Sequence, residues 1–191
     1  MLCQKIKIKK RSKNLSLRNR LNQLGGKSKK SNSNEQKELN QIAMSTSNPK
    51  KKYMEDYEII GQIEIPKIDL KCNILNETTK RALEIAVTKI YTTSDLNLPG
   101  NTVIYGHNYR NALFFSKNDE LEKGDKLYIT DAEGNKLKYE IYNIFETTSA
   151  DTSFYTRTAA DTGGKAEVTL STCTDDASQT DRRLIVQAVA E

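Results

Sequence analysis

One histidine, three cysteines and a pair of adjacent arginines carry most of the catalytic potential of this 191-residue chain. Cys173 ends the run Ala166–Cys173 and precedes a polar stretch, Thr174–Asp181. Alternation along that run puts Val168, Leu170 and Thr172 on one face and Thr169, Ser171 and Cys173 on the other. The second face is polar, so Cys173 is not a simple core residue, although a free cysteine usually is one. Cys72 shares its face with Ile74 and reads as packing. His107 directly follows a strand-like run, with Gly106 before it and Asn108 after. A lone histidine is most often a surface or cap residue, but strand ends are also where barrels carry function. Arg182 and Arg183 open the last strand and must point to opposite faces. Together these residue types suit acyl transfer. A thiolate at Cys173 attacks an amide carbonyl. An imidazolium at His107 protonates the departing amine. A guanidinium, from either Arg182 or Arg183, supplies a donor set suited to an oxyanion. Such chemistry requires residues 107, 173 and 183 to converge at neighbouring strand ends.

Other chemistries find less support. An odd cysteine count in unlike settings argues against a disulfide framework. One histidine without paired cysteines argues against zinc. No glycine-rich phosphate loop and no Gly-x-Ser-x-Gly occurs. We expect no metal and no cofactor.

The elements that must position these residues are short and mostly extended. Ile59–Ile68, Leu70–Leu75, Thr102–Tyr105, Lys126–Thr130, Lys136–Phe145, Ala166–Cys173 and Arg182–Ala190 read as strands, separated by Pro/Gly/Asn/Asp turns. A helix is expected after Asn76-Glu77-Thr78-Thr79, capped by Thr78 or Asn76, with Leu83, Ile85, Ala86 and Ile90 on its apolar face. A second is expected over Ala112–Leu121. Glu146–Lys165 is a long polar loop, a length more often functional than idle. About eight short strands with one or two short helices predict a mainly β fold, a closed or nearly closed barrel.

Composition divides the chain. Residues 1–52 hold 15 Lys/Arg against 2 Glu, a net +13, whereas residues 53–191 hold 15 Lys/Arg against 23 Asp/Glu, a net −8. The first stretch lacks aromatic residues and is expected to be a disordered basic arm, because it buries too little apolar area to offset chain entropy. Leu17, Leu21 and Leu24 stand at helical spacing and permit a basic amphipathic turn or two at a surface. The arm reads as a solvated linker or as an electrostatic contact with anionic lipid or wall polymer. Without aromatic residues to stack on bases, nucleic acid is not the expected partner. We place the arm at residues 1–56 and the folded domain at 57–191. No apolar stretch suits a secretory signal or a membrane span; Leu184–Ala190 falls far short of the ~20 residues needed.

Four motifs, in order, resemble the sortases, cysteine transpeptidases of Gram-positive cell surfaces. Thr169-Leu170-Ser171-Thr172-Cys173 matches the family's Thr-Leu-x-Thr-Cys strand end. Pro99-Gly100-Asn101 leading to Gly106-His107-Asn108 matches its histidine setting. Arg183-Leu184-Ile185-Val186 matches the arginine that opens the final strand. Ile63-Glu64-Ile65-Pro66-Lys67-Ile68 is a typical opening. The resemblance covers about Ile59 to Val189. It implies the sortase-type β-barrel, with catalytic Cys173, His107 and Arg183. It further implies cleavage of a Leu-Pro-x-Thr-Gly-like or Asn-Pro-x-Thr-like sorting signal after Thr. The acyl group would then pass to a cell-wall precursor or pilin amine. Thr172, Ser171 and Asn108 are expected beside the substrate, and Phe154 and Tyr155 are expected to line its groove from the Thr147–Lys165 loop. The Gly-His-Asn and Leu-Ser-Thr-Cys wording is closest to class B, whereas that loop is short for the class. The family implies an extracytoplasmic, membrane-associated location and usually has an N-terminal apolar helix; the basic residues 1–52 do not match it, which a truncated or misplaced start, a lost anchor or electrostatic attachment would each explain, the first being the expectation.

Overall fold

The computed structural model describes residues 51–90, 93–174 and 181–191. The sequence expectations for the basic arm up to residue 50, including Leu17–Leu24 and Cys3, lie outside the described residues. Among the described residues nine strands follow in order: β1 (Lys52–Met54), β2 (Tyr57–Ile65), β3 (Leu70–Leu75), β4 (Val87–Lys89), β5 (Gly100–Tyr105), β6 (Lys126–Asp131), β7 (Lys136–Thr148), β8 (Ala166–Cys173) and β9 (Arg182–Ala190). Their lateral order is β1-β2-β3-β4-β5-β8-β9-β7-β6, and β6 pairs back onto β2. That last pairing closes β2 to β9 into the expected eight-stranded barrel, with β1 attached outside the ring. Closure removes the free edges of the eight-stranded ring. β1 falls inside the range expected as arm, yet it pairs with β2 through Lys52↔Ile59 and Met54↔Tyr57; ordered chain therefore precedes residue 57.

Period-two alternation fills the interior. Ile63 and Ile65 of β2, Ile74 of β3, Ile104 of β5, Leu127 and Ile129 of β6, Ile141 of β7, Leu170 of β8 and Val186 of β9 are fully buried in one cluster. Fully burying a side chain of this size contributes about 1.5–3 kcal/mol.

Two expectations are corrected. Residues 112–121 form turns and a 3-10 turn at Asn118–Glu120 instead of an α-helix. Arg110, Ala112 and Phe114 take left-handed backbone conformations (φ 55°, 67° and 51°), which a right-handed helix cannot include. Asn108 Oδ1 and Asn111 Oδ1 accept from the amides of Arg110 and Leu113, at 3.0 and 3.1 Å, and hold these turns. The other helix, α1 (Lys80–Ile85), is short and is capped by Thr79, not Thr78 or Asn76; the Thr79 hydroxyl accepts from Ala82 N at 3.1 Å. Beyond Ala86 the chain turns into β4, where Val87 pairs with Ile74 in parallel with β3.

β8 is buried on both faces up to Thr172. Its inner face joins the barrel core, and its outer polar face is covered by the loop after β7. There Phe154 packs with Val103 and Ile185, flanked by Tyr105, Phe145 and Tyr155. Asn101 satisfies two polar groups beneath the loop: its Nδ2 donates to Phe154 O at 2.6 Å, and its Oδ1 accepts from Thr169 Oγ1 at 3.0 Å. The buried Glu167 carboxylate accepts two bonds from Arg157, at 2.7 and 2.9 Å, and one from the Tyr142 hydroxyl at 2.9 Å. A buried charge requires such partners.

Phe154→Ala removes the apolar contact that seats this loop. It should cost about 3 kcal/mol of stability, read by urea denaturation. Amide exchange should accelerate around residues 152–157, while the β2–β6 pairing stays protected.

Candidate active site

Hydrogen-bond register brings the sequence-separated residues together. Cys173 stands directly opposite Arg183 across β8 and β9, and Arg183 stands opposite Thr147 across β9 and β7. Directly opposed residues share a face with Cβ atoms about 4.5–5.5 Å apart. The same face carries Ser171, Ile185 and Tyr105, through Ser171↔Ile185 and Tyr105↔Ser171. Arg182 points to the opposite face. Its guanidinium donates twice to Glu146 Oε2, at 3.1 and 2.7 Å. Arg183 is therefore the arginine that accompanies the thiol. Its NH1 donates to Arg182 O at 2.9 Å, which steadies the guanidinium.

His107 reaches the same place from β5, which runs parallel to β8. Gly106 N donates to Ser171 O at 3.2 Å, and Asn108 Nδ2 donates to Cys173 O at 3.3 Å. Between these two ties, His107 lies alongside the Thr172–Cys173 step. Its ring packs on Tyr109 with centroids 4.7 Å apart, and Tyr109 packs on Phe114 at 5.9 Å. His107 O also accepts from Phe115 N at 3.1 Å. Gly106 permits this close entry into the core: a Cβ there would lie 2.6 Å from Phe115 Cδ2 and 2.9 Å from Val87 Cγ1.

The described thiols differ in setting. Cys173 is exposed at its strand end. Cys72 sits against the barrel core, and burial pushes its thiol up to about 12. An inert packing thiol and an accessible one are thus separated by environment. Beside Arg183, the Tyr105 hydroxyl is held above its ordinary value by burial, against the opposing pull of the Arg183 charge and a hydrogen bond with Ser171.

The sortase domain model matches residues 63–191, which include every strand from β3 to β9 and all three converging residues. The chain belongs to the sortase family. It is 30% identical over 117 residues to sortase A of Bacillus anthracis, covering 61% of this chain and 52% of that protein. It is 28% identical over 128 residues to sortase A of Listeria monocytogenes, covering 66% and 54%. The chain thus spans about half the length of these curated relatives. Among solved structures, a lid mutant of sortase A from Corynebacterium diphtheriae superposes with TM-score 0.63 at 26% identity, covering 86% of this chain and 82% of that one. The Clostridium perfringens sortase D5 transpeptidase gives TM-score 0.61 at 26% identity, covering 81% and 88%. These relatives carry A and D names, where the motif wording had suggested class B.

The remaining expected site residues of this sortase divide by accessibility. Asn108 bridges the histidine and cysteine segments. Tyr155 is half-buried and meets the Tyr105 ring edge-on at 6.1 Å. Ser171, Thr172 and Phe154 are each 3% exposed. Phe154 therefore fastens the loop from beneath and does not line a groove with its side chain. Ser171 is likewise covered, while the Thr172 hydroxyl faces away from Cys173 and is buried without a hydrogen-bond partner among the described residues. Sequence reading passed over Tyr105 and Tyr109. Their signal was available in sequence proximity: both are aromatic and stand two residues from His107.

Two measurements check this geometry. In a Cys3→Ser background at pH 8, iodoacetamide should alkylate Cys173 in the folded protein and leave Cys72 intact. Because burial raises the Cys72 thiol, its labelling should appear only as the pH approaches 12 or on unfolding. Gly106→Ala should cost about 1–3 kcal/mol through overpacking against Phe115 and Val87, read by urea denaturation.

Proposed function

We propose that this sortase is a cysteine transpeptidase. It cleaves a Leu-Pro-x-Thr-Gly-like or Asn-Pro-x-Thr-like sorting signal after Thr. It holds the product as a thioester on Cys173 and passes it to an amine of a cell-wall precursor or a pilin. The observation that carries this reading is the Cys173↔Arg183 register with His107 alongside it.

The Cys173 thiolate attacks the Thr carbonyl and forms the C–S bond. Arg183 faces the oxyanion. The His107 imidazolium protonates the leaving amine as the C–N bond breaks. An amine then attacks the thioester, His107 takes its proton, and the thiolate leaves. Asn108 positions the histidine segment against Cys173. Tyr105 and Tyr155 border the acyl side, with Phe154 and Thr169 supporting that wall from below. Thr172 and Ser171 act through their strand position. Residues 57–191 are the catalytic domain. The basic arm adds attraction to anionic lipid or wall polymer at the extracytoplasmic face of a Gram-positive cell. Among the described residues no helix is long and apolar enough to cross a membrane.

The test uses the full chain with a panel of Leu-Pro-x-Thr-Gly and Asn-Pro-x-Thr peptides, with and without triglycine or a wall-type diamine, followed by mass spectrometry. We expect cleavage after Thr, a thioester on Cys173 and acceptor-dependent ligation. Cys173→Ala should form no thioester. His107→Ala and Arg183→Ala should each lower kcat/KM by about 100-fold or more, whereas Arg182→Ala keeps most activity. Cleavage indifferent to acceptors would make the protein a thiol peptidase. Binding without turnover would make it a sorting-signal or wall-binding barrel.

A further inference from the structure

A histidine that donates a proton and later accepts one needs a fixed ring plane and an open ring edge. Among the described residues, neither ring nitrogen of His107 makes a hydrogen bond; the contact that orients the ring is Tyr109. The two centroids lie 4.7 Å apart, with the planes 38° from one another. Tyr109 packs in turn on Phe114 at 5.9 Å, and Phe114 packs against the barrel core. The imidazole is thus tied to the core through two aromatic rings. Tyr109 itself stays 40% exposed, so burial of its own surface does not account for its placement.

The loop that carries Tyr109 is braced along its length. Tyr109 N donates to Ser116 Oγ at 2.9 Å, and the buried Ser116 hydroxyl donates to Leu113 O at 2.6 Å. Asn108 and Phe114 form an antiparallel bridge. Arg110, Ala112 and Phe114 hold left-handed backbone within this short span. Strain of that kind persists where surrounding contacts over-determine it, and it gathers at functional sites. Its result here is to bring Phe114 back against Tyr109.

From this arrangement we infer that Tyr109 is a positioning residue for the proton transfers of His107, acting through its ring face and not its hydroxyl. The inference rests on the proposed transpeptidase reading and deepens it. The terminal torsion of a histidine is broad when nothing packs on the ring. Aromatic pairs at this separation prefer offset or tilted geometries, which restricts that rotation. A face contact also leaves the ring edge, where both nitrogens sit, open to the leaving amine and then to the incoming one. A carboxylate partner would engage one nitrogen at that edge. The Tyr109 hydroxyl makes no hydrogen bond among the described residues.

The experiment uses the full-length chain with ¹³C-labelled histidine. His107 is the one histidine of the sequence, so its ring signals need no assignment. Relaxation of the ring C–H bonds gives an order parameter for the imidazole. We expect a value near that of rigid backbone, about 0.85, in the wild type and in Tyr109→Phe, and one below about 0.6 in Tyr109→Ala. Tyr109→Leu is the second variant should alanine disturb the fold, which amide spectra read. On whichever sorting peptide the wild type turns over, Tyr109→Ala should lower kcat by about tenfold, a part of what a positioned acid–base group supplies. KM should stay the same, and Tyr109→Phe should keep both constants. An imidazole equally ordered in the wild-type, alanine and leucine chains would overturn the inference. So would loss of order in Tyr109→Phe, which would assign the effect to the hydroxyl. A raised KM at unchanged kcat would also overturn it, by making Tyr109 a substrate contact. A wild type that turns over no peptide would count against the transpeptidase reading, and the order parameter, which needs no turnover, would still judge the hold of Tyr109 on His107.

Discussion

β8 is hydrogen-bonded on both sides, parallel to β5 and antiparallel to β9, and is buried on both faces. A strand so constrained cannot slip. A shift of one residue would turn its apolar set outward and bury Thr169 and Ser171 in the barrel core. The same shift would carry Cys173 to the face of Arg182 and Glu146. Registers fixed for packing therefore also fix which arginine meets the thiol. The parallel β5–β8 pairing delivers His107 as well, because the chain leaves β5 level with the end of β8. Gly106 is the one residue that lets it do so against Phe115 and Val87.

The outer face of β8 poses a different problem. It is polar, yet the loop after β7 covers it. Asn101 and the Arg157–Glu167–Tyr142 group supply the hydrogen bonds that burial would otherwise leave unmade. Leaving such groups unpaired costs about 1–3 kcal/mol each. A wall for the site is thus built from satisfied polar contacts plus the Phe154 contact with Val103 and Ile185. Two roles meet in one segment: Phe154 secures it, and the neighbouring Tyr155 presents its ring to Tyr105 at the site.

Cys173 consequently stands at a junction of two environments. On one side are Arg183, Tyr105 and the aromatic stack of His107 on Tyr109. On the other is a small cavity lined by Asp119 and Glu146.

Much of this was legible in the sequence because strand alternation and turn residues are local signals. The closed barrel, the limits of β3, β8 and β9, and the contrast between Cys72 and Cys173 follow from residue pattern alone. The four ordered motifs identified the family for the same reason. What the sequence left open depended on distant partners. Alternation states that Arg182 and Arg183 face opposite ways, but only the β8–β9 register decides which faces Cys173. Residues 112–121 have a helix-compatible composition, yet seating Phe115 under Gly106 and the Asn108 and Asn111 side-chain turns impose left-handed backbone there. Phe154 looked like a groove residue because nothing nearby in sequence announces Val103 and Ile185, its core partners. The cavity beside Cys173 joins Asp119, Glu146 and Thr174 from three separate segments, a proximity created by the β7–β9–β8 pairing.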